Sequence, residues 1–84
     1  YGLTETAPVL SMSREKGLQY ADAADRLRRH AMAGWPVPNV TVRVVDFDMK
    51  DVPKDGTSIG EVIAMGDHVM EGYFKEPEAT AAVM

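Results

Sequence analysis

The chain has 84 residues, a formal net charge of −4, about a quarter charged side chains and no cysteine. That is length for one small domain, with too little positive charge to suggest a nucleic-acid partner and no thiol for a disulfide or a thiolate metal site. No apolar run approaches the roughly 20 residues that span a bilayer, and Tyr1 is preceded by neither a methionine nor a basic segment, so no signal peptide is read and a cytoplasmic protein is expected, with peripheral attachment of a longer parent to membrane left open.

Residues 1–13 (YGLTETAPVLSMS) have no period; Gly2 and Pro8 punctuate them, and they read as a shaped loop with a turn of helix. Residues 14–34 form a helical segment. Leu18, Ala21, Leu27 and Ala31 recur near helical spacing, which predicts a helix over about 19–32, with Arg28, Arg29 and His30 complementing its C-terminal dipole and Gly34 closing it. Residues 35–84 are the β part. The two prolines of Trp35-Pro36-Val37-Pro38 force an extended or turning path. Val40, Val42 and Val44 then alternate with Thr41, Arg43 and Val45, which predicts a strand. A polar connection with Asp55-Gly56 leads to a second strand over 59–65, and a short third one over 69–73, paired antiparallel, with Arg43 and Glu61 placed to meet across the sheet. Pro77 opens a final helix.

The expected fold class is therefore α+β, mainly β: a small antiparallel sheet with a flanking helix. So small a sheet buries a thin core, and its strand edges invite self-association. The six methionines are expected as gap-fillers in that core. Both ends fall inside motif-like or helical strings, which points to a piece of something longer.

The chemistry-bearing string is Tyr1-Gly2-Leu3-Thr4-Glu5-Thr6. An aromatic face, a glycine admitting close approach, a hydroxyl and a carboxylate within a few positions could stack a base, touch a phosphate and hold a hard cation. Mg²⁺ takes one or two carboxylates together with substrate phosphates. The same residues also fit a plainer arrangement, in which Thr4-Glu5 caps a short helix and Tyr1 is half-buried. His68, Glu71 and Asp67 lack the helical spacing a metal site would need there, and Arg26, Arg28, Arg29 and His30 read as a solvated helix end.

YGLTET resembles the Tyr-Gly-x-Thr-Glu signature of the adenylate-forming enzymes, the superfamily of acyl-CoA synthetases, 4-coumarate ligases, firefly-type luciferases and peptide-synthetase adenylation domains. GWPVPNVTVRVVD is similar to the family's Gly-x-Pro-x-Pro-Gly-Val stretch, and VPKDGTSIGEVIAMGDHVMEGYFKEPEATAAVM to its Pro-x-Gly-x-x-Gly-Glu, Gly-Tyr and Pro-x-x-Thr blocks, in the same order. The helical segment between the blocks looks most like the branch of medium-chain fatty acyl-CoA ligases.

The resemblance implies an internal fragment of an AMP-forming acyl-CoA synthetase, within the β-barrel subdomain of the large N-terminal domain. Small-molecule substrates are implied: a carboxylic acid, ATP and CoA. Tyr1 and Gly2 would meet the adenine nucleotide, Thr4 its phosphates, and Glu5 would ligate Mg²⁺, making Thr4 and Glu5 the catalytic pair. Ala7 and Pro8 would touch the acyl substrate. Trp35 and Asn39 depart from the family's usual small residue and glycine. The pyrophosphate-gripping loop, the ribose-binding aspartate and the C-terminal lysine are absent from these 84 residues, so the chain is expected to be inactive alone. The alternative is a non-catalytic β-module with a binding or purely structural role.

Overall fold

The computed structural model describes residues 1–84. In chain order it holds a 3-10 turn Thr4–Thr6, strand β1 (Ser11–Met12), helix α1 (Ala23–His30), β2 (Trp35–Pro36), β3 (Val40–Val45), β4 (Glu61–Gly66) and helix α2 (Pro77–Val83). This is the expected α+β architecture with a β-hairpin at its centre.

β3 and β4 pair antiparallel from Val40 opposite Gly66 to Val45 opposite Glu61. The valine-rich alternation of β3 suits a pleated, half-buried surface, and Val45, at its end, is fully buried. β1 and β2 form a second two-stranded sheet, Ser11 opposite Pro36 and Met12 opposite Trp35, which ties the N-terminal loop to the proline-rich segment. Val37 N–H donating to Leu10 O at 3.0 Å extends that tie.

The third strand expected over 69–73 is not formed. Its amides are committed elsewhere: Val69 N–H closes a turn on Gly66 O, Met70 N–H donates to Glu5 O at 2.8 Å, and Tyr73 N–H donates to the Thr80 hydroxyl at 2.9 Å. Arg43 does not meet Glu61 either. It stands opposite Ile63, and its guanidinium pairs with Asp51 at 2.7 Å.

α1 is shorter than the periodicity suggests. The Asp22 carboxylate accepts the Asp25 N–H at 2.8 Å and so fixes the first turn there, while Lys16 and Gly17 take positive φ and turn the chain before it. Gly34 does not end this helix, whose C-cap is Ala31. It has φ +80°, and a Cβ on it would sit 2.1 Å from Met12 O, so the glycine lets the β1–β2 backbones approach. α2 begins at Pro77 as expected, with Glu78 in its first turn.

Only four of 84 residues are buried: Leu10, Val45, Thr6 and Ser11. The radius of gyration is 15.4 Å, against about 12 Å for a chain of this length packed to ordinary density. Met12, Met32, Met49, Met65 and Met84 are exposed, because there is no sizeable core for them to fill. No helix is long and apolar enough to cross a membrane.

Candidate functional site

The first eleven residues fold back on themselves as a tight loop. The Tyr1 carbonyl accepts the Leu10 and Ser11 amides at 2.9 and 3.0 Å, Gly2 bridges to Val9, and Leu3 N–H donates to Pro8 O at 2.9 Å. Gly2 is required there: a Cβ would fall 1.7 Å from the Pro8 carbonyl oxygen. The tip is the 3-10 turn, closed by Ala7 in a left-handed conformation (φ 46°, ψ 55°) whose N–H donates to Thr4 O.

Each step in a 3-10 turn rotates the side chain by about 120°, so Thr4, Glu5 and Thr6 point three ways. Thr4 is exposed at the tip. Thr6 turns inward and is 3% exposed; its hydroxyl accepts Leu3 N–H at 3.0 Å and shares its proton between Pro8 O at 2.7 Å and Leu3 O at 3.0 Å. Glu5 turns toward the segment after β4. Its backbone carbonyl accepts the Met70 N–H, and its Oε1 accepts the Tyr73 hydroxyl at 2.8 Å. The phenol proton holds the Glu5 carboxyl below the ordinary carboxylate range, helped by the backbone N–H of Glu5, and the carboxylate raises the Tyr73 phenol in return.

The candidate residues therefore divide. Tyr1, Gly2 and Pro8 line an open cleft of about 390 Å³. Glu5 instead lines a smaller, mostly apolar cavity of about 190 Å³ with Leu3, Leu10, Met70 and Tyr73. Tyr1 is 54% exposed, close to the half-buried ring of the plainer arrangement, but the turn is held from inside by Thr6, with Leu3 at its N-cap, instead of being capped by Thr4-Glu5.

Residues 1–74 match the AMP-binding enzyme family. The chain belongs to that family. Across its full length it is 39% identical to a long-chain-fatty-acid–CoA ligase of Thermus thermophilus and 40% identical to the 2-methylpropanoate–CoA ligase CCL4 of Humulus lupulus. Over 96% of its length it is 37% identical to 4-coumarate–CoA ligase 2 of Nicotiana tabacum. It spans 16% of the length of the first two of these relatives and 14% of the third. The AMP-binding family match takes in the loop, both sheets and Tyr73.

Two residues that shape this site were not picked out as site residues from the sequence. Thr6 stood in the motif without a role of its own, and Tyr73 lies 68 positions from the carboxylate it touches. No local period connects them; the signal available was Gly72-Tyr73 standing among the blocks shared with the family. His68, not expected to hold a metal, lies with Nε2 3.2 Å from the Val9 carbonyl, to which it can donate. In the basic cluster, Arg26 reaches Glu15 at 2.9 Å, and Arg28 and Arg29 reach Asp25 at 2.9 and 3.1 Å. The Ala21 N–H, with Arg28 and Arg29, lowers the Asp25 carboxyl to about 2.

Proposed function

We propose that the chain is the nucleotide- and metal-facing segment of an ATP-dependent, AMP-forming acyl-CoA synthetase, in which an acid attacks the α-phosphate of ATP to give acyl-adenylate and pyrophosphate, and the CoA thiol then displaces AMP. The observation that carries this reading is the match of residues 1–74 to the AMP-binding enzymes. The CoA-ligase names of the relatives support a carboxylic acid and CoA as the other substrates. In this reading residues 1–13 are the motif loop, 14–34 a helical segment and 35–84 part of a β-subdomain ending in the start of a helix, in a fatty or related acyl ligase of the cytoplasm.

Tyr1 offers its exposed ring to the adenine, and Gly2 lets the base lie against the backbone. Thr4, exposed at the tip, faces the phosphates. Ala7 and Pro8 contact the acyl group. The donor set, one carboxylate with the Tyr73 hydroxyl on its Oε1, suits magnesium held jointly with substrate phosphates. Bound there, Mg²⁺ would supply charge neutralisation for attack by one anion on another. Glu5 is then an anchor, not a base.

Alone the chain is expected to be inactive, because Tyr1 and Thr4 lie open to water and the single carboxylate of Glu5 is not a preorganised set of charges. The test is acid-dependent ATP–pyrophosphate exchange. A longer protein carrying these residues should show it, and its Glu5→Gln variant should lose most of it; no exchange with short, medium, long or aromatic acids would overturn the assignment. Exchange by the 84-residue chain itself would overturn the claim that it is incomplete.

A further inference from the structure

We propose that Tyr73 is a positioning residue for Glu5: its hydroxyl occupies Oε1 so that Oε2 is presented, in one orientation, to a divalent cation. The inference rests on the reading of Glu5 as a metal anchor and adds to it a residue from the far end of the chain.

A glutamate on an exposed loop tip samples many rotamers, and a cation that needs one of them must select it. Here the residue is held at both ends. Met70 N–H donates to its backbone carbonyl at 2.8 Å, and Tyr73 Oη donates to Oε1 at 2.8 Å. Both donors belong to the segment that follows β4 and that forms no strand, which accounts for where its hydrogen-bonding groups go. Tyr73 is itself fixed. Its N–H donates to Thr80 Oγ1 at 2.9 Å, and that hydroxyl donates to Glu76 O at 2.8 Å, inside the first turn of α2. A chain of contacts thus runs from α2 through Tyr73 to the carboxylate. A phenol proton on one oxygen of a carboxylate leaves the other free to ligate, which is how outer partners orient metal-binding groups.

The probe is Mn²⁺ with a non-hydrolysable ATP analogue, read by electron paramagnetic resonance on the longer protein, beside AMP binding measured in EDTA. Tyr73→Phe removes only the hydroxyl and should weaken Mn²⁺ binding about tenfold, at the low end for loss of such an outer partner. AMP affinity in EDTA should stay within about twofold, since a metal-free nucleotide does not use the carboxylate. In the Glu5→Gln background, Tyr73→Phe should cost nothing more.

If Glu5→Gln weakens Mn²⁺ binding and Tyr73→Phe does not, the positioning role is wrong while the anchor stands. If neither variant changes it, the anchor reading itself fails. Equal losses of AMP and Mn²⁺ binding in Tyr73→Phe, or a further loss in the Glu5→Gln background, would make the hydroxyl a general tie between loop and hairpin and overturn the proposal.

Discussion

Gly2→Ala should unlock the loop that carries the candidate site. The added Cβ would sit 1.7 Å from Pro8 O, where ordinary contact begins near 3.4 Å, so one backbone must retreat by about 1.7 Å to escape the repulsive wall. Pro8 O cannot retreat freely, because it accepts Leu3 N–H at 2.9 Å and the Thr6 hydroxyl at 2.7 Å. Losing both hydrogen bonds costs about 1–3 kcal/mol net, and residual overpacking adds about 1–3 kcal/mol, giving a total of about 2–6 kcal/mol against the closed loop. Native-state hydrogen exchange on the longer protein reads this directly. The amides of Leu3, Leu10 and Ser11, all bonded within the loop, should exchange at least about 30-fold faster, the factor that 2 kcal/mol implies. ATP–pyrophosphate exchange should fall with them. Unchanged protection at those three amides would refute the steric argument, and lost protection with intact exchange activity would separate the loop from the chemistry.

Thr6→Val keeps the shape of a side chain that is 3% exposed but removes the hydroxyl bridging Leu3 and Pro8, so the longer protein should lose about 1–3 kcal/mol of loop stability, read as faster exchange at Leu3, and Thr6→Ser should restore most of it. Asp25 has its carboxyl lowered from 3.8 to about 2 by the Ala21 N–H, Arg28 and Arg29. Because the folded value lies below the ordinary one, its contribution is complete above about pH 4 and is lost as pH falls through about 2. A carbon-13 titration of that carboxyl should find a midpoint near 2 that rises in 1 M salt, since the arginines are exposed; a midpoint at 3.8 in dilute buffer would remove the Ala21, Arg28 and Arg29 contacts from the account.

The elements legible in the sequence are those set by local rules. Alternating valines announced β3, and Pro77 with Glu78 announced α2, because each depends on side-chain period or on a backbone restriction a few residues wide. What could not be read depends on partners far along the chain. The 69–73 segment has strand-like composition, yet its donors go to Glu5 and Thr80, so it never adds to the hairpin. Gly34 looked like a helix stop, and its reason is the backbone of Met12, 22 residues away. The start of α1 was obscured for a different reason: Leu18 and Ala21 continue the helical period, but the Asp22 side chain captures the Asp25 amide and begins the helix there. The hexapeptide was legible as a candidate site by type and spacing, whereas the division of its side chains between two clefts follows from how the loop folds back on Pro8 to Ser11 and from the docking of Glu5 on Met70 and Tyr73, which composition does not encode.

That division bears on how the site can work. A ligand contacting only Tyr1 would not need Glu5, and one contacting only Glu5 would not need Tyr1; an elongated polyanion with an aromatic head is the kind of molecule that uses both sides of one turn. The turn meets that demand with little hydrophobic support, since Leu10 is the one apolar side chain of the loop that is buried, and the rest of its order comes from hydrogen bonds. Hydrogen bonds within reach of water contribute little each and fix geometry weakly unless water is excluded. Precision at Glu5 therefore has to come from contacts outside the loop. Tyr73 and Met70 supply two of them, and in the proposed reading a nucleotide lying on the exposed Tyr1 ring would need further cover to exclude water.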